Sequence, residues 1–305
     1  MIYETIRDGI NKDLSSFVSI EFESFNKLDE AISVLESNDL LLEENTLKSY
    51  FQVIIVKIRE LVRKVIDKLK ELWERFSKDT WVKFNYAMMK KLREKFNKKE
   101  INELMEKNKF AVSVLIIEKN NNLIIGNNEN CSYLIKTDYK YDMSPESSNA
   151  AMENAQKGKE AFDNMNSEID KYKVSKIVRK FNNYTAIDAV LSNTYEIMIK
   201  DNAYLEGVKS HVKGLQNNLN KIDNMNISDG SNKDKINNLK NCYLFNIEAI
   251  QYQMKILLVV MSYISKVHKY NLGAFTLALE KLKAGKEVEN PSTDAFAKDS
   301  NVAFT

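Results

Sequence analysis

Glycine, proline, cysteine and histidine are all scarce in this chain. Its 305 residues hold 8 Gly, 2 Pro, 2 Cys and 2 His. So few glycines and prolines cannot punctuate the many tight turns of a β-sandwich, a barrel or a large parallel sheet. Cys131 and Cys242 cannot build a disulfide framework. A four-ligand Cys/His zinc site would need both of them to meet His211 and His268 at one point. Gly126 is the only glycine between Gly9 and Gly158, which excludes the P-loop and the dinucleotide fingerprint. No HExxH, CxxC or calcium-loop pattern occurs. Long apolar runs are missing too. The most apolar window starts at Ile256 and is closed off by Lys255 and Lys266, where a membrane span needs about twenty residues. The opening MIYETIRDGINKDL carries charge throughout and has no signal-peptide core, so secretion by a signal peptide is not expected. With 44% apolar residues, disorder through low hydrophobicity is excluded. What remains is a long, mainly α-helical chain.

Charge of one sign is also lacking overall: 45 Lys+Arg against 43 Asp+Glu leave a net charge of +2. That balance hides an asymmetry. Residues 1–45 carry 3 cations and 11 acids, whereas residues 46–109 carry 18 cations and 9 acids. An acidic N-terminal segment therefore precedes a pair of basic amphipathic helices. The first of these has an unbroken seam, Phe51, Ile55, Ile58, Val62, Val65, Leu69, Leu72 and Phe76, in alternating steps of four and three. Ile54, Leu61, Ile66 and Trp73 widen it into the stripe of a bundle helix rather than a two-stranded zipper. A second basic helix is expected from about Thr80 through Phe96 towards Leu104.

The period then changes. Phe110–Ile117 is compact and β-branched, and Leu123–Gly126 and Ser132–Lys136 follow across Asn-rich turns. This predicts a small antiparallel β element within 110–137, packed on helices. Residues 138–150 read as a linker, with Pro145 opening a helix. Residues 151–285 read as a helical bundle domain with a break near Asn182-Asn183. It has a loop at 226–234 joining antiparallel helices, a long helix over 233–270, a shorter one over 274–283 and a stop at Gly285. Residues 286–305 read as a flexible tail. The fold class is an elongated helical bundle of coiled-coil-like hairpins with one small β element.

Reactive constellations are sparse. His211 and Cys242 are expected at similar heights across the 226–234 hairpin, the one nucleophile–base pairing the helices offer. Helix-surface histidines and a core cysteine are the ordinary alternative. Acidic pairs such as Glu43/Glu44 fit solvated faces. No catalytic, cofactor-binding or metal-binding residue is nominated, and the chain is not read as an enzyme. Lys57, Arg59, Arg63, Lys64, Lys68, Lys70, Lys90, Lys91, Arg93 and Lys95 form a basic face able to contact nucleic-acid phosphates or another anionic surface. Glu60, Asp67 and Glu71 lie among these cations, as on an ordinary solvated helix.

One further pattern lies in the N-terminal quarter. Phe22-Glu23-Ser24, Leu28-Asp29-Glu30-Ala31-Ile32 and Leu35-Glu36-Ser37 precede the helix containing KIRELVRKVIDKLKELW. An acidic leader of this texture before a lysine-rich amphipathic helix resembles the N-termini of structural or internal head proteins of large tailed bacteriophages. The resemblance covers about the first 75 residues. It implies a virion or host-cytoplasmic location, assembly with copies of itself or other structural proteins, and a leader trimmed after a glutamate. Glu21, Glu23, Glu36 and Glu44 are the candidate processing positions. On this view the seam Phe51–Phe76 and the apolar face of 233–270 serve packing and self-association, binding each other or partner copies.

Overall fold

A computed structural model describes residues 47–76, 96–107, 111–117, 139–168, 174–181, 183–222 and 233–286. Its elements in chain order are α1 (Leu47–Phe76), α2 (Lys98–Lys107), β1 (Ala111–Ile117), α3 (Pro145–Glu168), β2 (Val174–Lys180), α4 (Tyr184–Ile222) and α5 (Lys233–Lys283). The chain is mainly α-helical, as its composition implies.

Helix α5 organises the rest. Its 51 residues make it about 75 Å long. Ile256, Leu257, Leu258, Val259 and Val260 are all buried, so this stretch is surrounded on every side. The expected break between 270 and 274 does not occur. Gly273 is carried through because Asn271, Leu272, Phe275 and Thr276 are buried around it, outweighing the roughly 1 kcal/mol cost of one helical glycine. The Thr276 hydroxyl donates back to the Leu272 carbonyl within the same helix (2.8 Å). The stop falls at the expected glycine. Gly285 takes a φ of +68°, its N–H bonds the Leu282 carbonyl, and the Lys286 N–H bonds the Lys281 carbonyl. These two bonds are the Schellman pattern, which needs a left-handed residue at that position.

Two hydrophobic clusters lie along α5. The larger joins Phe51–Leu69 of α1 to Tyr204–Ile222 of α4 and Ile236–Val267 of α5. The smaller joins Phe96, Ile101 and Met105, Val112 and Val114 of β1, Phe181–Leu191 at the start of α4, and Leu272–Leu282 of α5. The start of α4 meets the end of α5 and the end of α4 meets its first half, so the two helices are antiparallel, as the loop at 226–234 implies.

Strand β1 divides the clusters. Its side chains alternate, so Val112, Val114 and Ile116 face the smaller cluster while Leu115 and Ile117 face the larger. Its partner is not local. β1 pairs antiparallel with β2, from Ala111↔Lys180 to Ile117↔Val174. The β element expected within 110–137 is therefore built from 111–117 and a segment read as helical, while the runs at 123–126 and 132–136 lie outside the described residues. Ile177 and Phe181 fit a helical period by spacing, but Val174-Ser175-Lys176-Ile177-Val178 is β-branched at three positions, which favours strand.

Helix boundaries follow short polar side chains. Asn97 accepts from the Glu100 N–H (2.8 Å), so α2 starts afresh there rather than continuing a helix through Phe96. Asn183 accepts from the Ala186 N–H (3.0 Å), placing the expected Asn182-Asn183 break at the start of α4. The Ser144 hydroxyl accepts from the Ser147 N–H (3.2 Å) before Pro145 at the first helical position.

Candidate functional site

A group of buried and half-buried polar and titratable side chains lies where an extended segment runs along α5. Residues 139–144, expected to be part of a linker, instead form a strap along this helix. The reason is a polar stripe on α5. Asn238, Cys242, Asn246 and Gln253 stand four, four and seven residues apart, which keeps them on one helix face.

Each of these side chains takes hold of the strap. The Asn238 amide donates to the Met143 carbonyl (3.3 Å), the Cys242 thiol to the Asp142 carbonyl (3.4 Å) and the Asn246 amide to the Lys140 carbonyl (3.1 Å). The Gln253 amide donates to the Tyr139 hydroxyl (2.8 Å). Three of the four contacts read main chain, so they hold an extended backbone almost regardless of its side chains. The Gln253 carbonyl oxygen in turn bonds His211 Nδ1 of α4 (3.1 Å), which requires that nitrogen to carry a proton. The Tyr139 and His211 rings meet edge to face at 4.7 Å. At the other end of the strap, Asp142 accepts from both the N–H (2.9 Å) and the hydroxyl (2.6 Å) of Ser144, fixing the entry to α3. Burial works to raise the Asp142 carboxyl, but the bonds from Ser144 and Ser147 and the charge of Lys140 hold it below its usual range.

Beneath the strap the titratable groups are neutral. Burial pushes the Cys242 thiol up to about 11, so it is a thiol and not a thiolate near neutrality. Burial also raises the Tyr141 and Tyr243 phenols above their usual value. Their rings lie 4.8 Å apart. Elsewhere on α5, burial pushes His268 down to about 4, against a backbone hydrogen bond with Leu191 that works the other way.

Comparison with models of known protein families, with curated proteins and with solved structures returned no match.

The sequence-derived candidates fall in different places. His211 sits level with Gln253, eleven residues along α5 from Cys242, or about 16 Å at the helical rise. The hairpin is offset from the symmetric one assumed from the loop, so these two do not form a pair. Of the seam, Phe51, Ile55, Ile58, Val62, Val65 and Leu69 are buried in the larger cluster against the chain's own α4 and α5. The seam is thus an internal contact, not a docking surface, over these six positions; the side chains of Leu72 and Phe76 lie outside the described residues. On the basic face, Arg63 and Lys64 are exposed while Lys57 and Arg59 are half-buried. Lys68 is 6% exposed and lies 3.5 Å from Glu71, and Lys70 pairs with Asp67 at 3.7 Å. Lys90, Lys91, Arg93 and Lys95, and the processing candidates Glu21, Glu23, Glu36 and Glu44, lie outside the described residues.

Sequence reasoning missed the amides. Asn238, Asn246 and Gln253 are ordinary residues in an Asn-rich chain, and only the spacing that puts them on one face of α5 marks them. No described helix is long and apolar enough to cross a membrane.

Proposed function

We propose that this chain is a non-enzymatic structural or assembly protein, a virion component of a large tailed bacteriophage, acting through helix packing and self-association. One observation carries the non-catalytic part. Among the described residues, the Cys242 thiol, the Tyr141 and Tyr243 hydroxyls and the His268 imidazole are buried, with the thiol raised to about 11, the phenols raised above their usual value and His268 lowered to about 4. A nucleophile needs the opposite, a thiolate or a base poised near neutrality within bonding reach. The phage assignment rests on the acidic leader and the lysine-rich helix that follows it. Because the described part of the α1 seam is covered internally, association on this reading uses other surfaces of the chain. Light scattering of the full-length protein across a wide concentration range tests it. Mass rising to a defined multimer supports self-association, and a strict monomer at the highest concentration removes it.

A second reading, binding of nucleic acid or another anionic surface by residues 57–99, is favoured by the exposure of Arg63 and Lys64 on α1 and of Lys98 and Lys99 on α2. Over the described part of α1, Glu60, Asp67 and Glu71 offset only part of the positive charge. Filter binding across a salt series decides: retention that weakens linearly with the logarithm of salt supports it, and no retention at low salt removes it.

A further inference from the structure

We infer that residues 139–144 are a releasable strap, a latch that lifts from α5 in a local opening and uncovers Cys242 while the helical core stays folded. This does not depend on the function proposed above. The strap has no β ladder. α5 hydrogen-bonds it through four side chains, of which Asn238, Cys242 and Asn246 grip only its main chain, and Tyr139, Tyr141 and Met143 of the strap pack half-buried on the larger cluster. The hydrogen bonds break one by one, each exchanged for a bond to water, and the three packed side chains are only half-buried, so exposing them costs less than exposing core residues. The seated strap also leaves polar atoms poorly served. Among the described residues, the hydroxyls of Tyr141 and Tyr243 and the side-chain oxygen of Asn246 are buried with no hydrogen-bond partner. Lifting the strap returns all three to solvent, so part of the cost of opening is offset by relief of those buried groups.

The two neighbouring elements do not have to move. Helix α3 lies alongside the strap on the same stretch of α5, held there by contacts of its own, where Gly158 meets Ala249 and Tyr252. Tyr139, Tyr141 and Met143 of the strap pack against the α1–α4–α5 cluster, but its fully buried members, Leu215, Leu239, Ile250 and Ile264 among them, belong to the helices. Opening of the strap is therefore a local event that costs less than unfolding of the helical core. Its position makes Cys242 the natural reporter, since the thiol is fully buried and its own hydrogen bond ends on the strap.

The test is alkylation of the full-length native protein by iodoacetamide, with Cys242 followed by peptide mapping to separate it from Cys131, over a urea series. If the strap opens locally, Cys242 is labelled well below the unfolding transition at a rate almost independent of urea. Asn246→Ala then speeds this labelling about five- to tenfold. Leu215→Ala, which weakens the core, leaves the low-urea rate unchanged. The proposal is overturned if Cys242 is labelled only as the whole protein unfolds, or if Leu215→Ala accelerates labelling as much as Asn246→Ala does. The urea dependence of the unmodified protein decides the matter even if either variant folds poorly.

Discussion

Asn271 is 1% exposed on α5 and takes the place of a neighbouring strand for β1. Its side-chain oxygen accepts the Leu115 N–H and its amide donates to the Leu115 carbonyl, both at 2.8 Å. Substituting Asn271→Leu leaves that backbone pair without a partner in a confined site. A loss of about 2–4 kcal/mol is expected, read from urea unfolding at neutral pH. His268 sets a second expectation. Its folded pKa is lowered to about 4, while an unfolded histidine titrates near its ordinary 6.5. Below that ordinary value the unfolded chain binds the proton first, so stability falls as pH drops and levels off near the folded value. The full effect is about 3 kcal/mol, and it is absent at neutral pH and above. His268→Leu should flatten that part of the stability–pH curve, which unfolding at a series of pH values between 7 and 4 would show.

At the scale of elements, α3 lies on α5 through small residues. Ala151, Ala155, Gly158 and Ala161 are buried, and a Cβ at Gly158 would stand 3.3 Å from the Cβ of Tyr252. Gly158→Val should force the helices apart and cost about 1–3 kcal/mol, whereas Gly158→Ala should stay near neutral because its roughly 1 kcal/mol gain in helix propensity offsets the tight contact. Thermal unfolding of both variants separates the two outcomes. Gly285→Ala should cost about 1 kcal/mol through its left-handed backbone. Helix starts and stops were the most legible features of the sequence, because caps are local. Pro145, Asn183 and Gly285 each stand where their own chemistry puts them. The pairing of 111–117 with 174–180 was not legible, since nothing within 110–117 states which distant segment will lie beside it. The break expected between 270 and 274 failed for the opposite reason, because burial of the residues around Gly273 carries the helix through.

For the molecule as a whole, one helix of 51 residues links two clusters, and the stripe at Phe51–Leu69 completes the larger of them. The stripe's width pointed to a bundle, and it is used as bundle core. What the sequence could not reveal was which partner fills it, because an apolar seam is equally suited to its own chain and to a second copy. The polar stripe of α5 was hidden in the same way, since amides reveal their role only when the backbone they hold is in place. At this scale the proposal made above is that the protein is a component of a particle and not a catalyst. Its most direct test is quantitative mass spectrometry of purified particles from the source of the sequence. The account predicts this chain at a fixed copy number per particle, with its N-terminus beginning just after Glu21, Glu23, Glu36 or Glu44. Its absence from the particles, or a level that varies freely with preparation, would contradict the account.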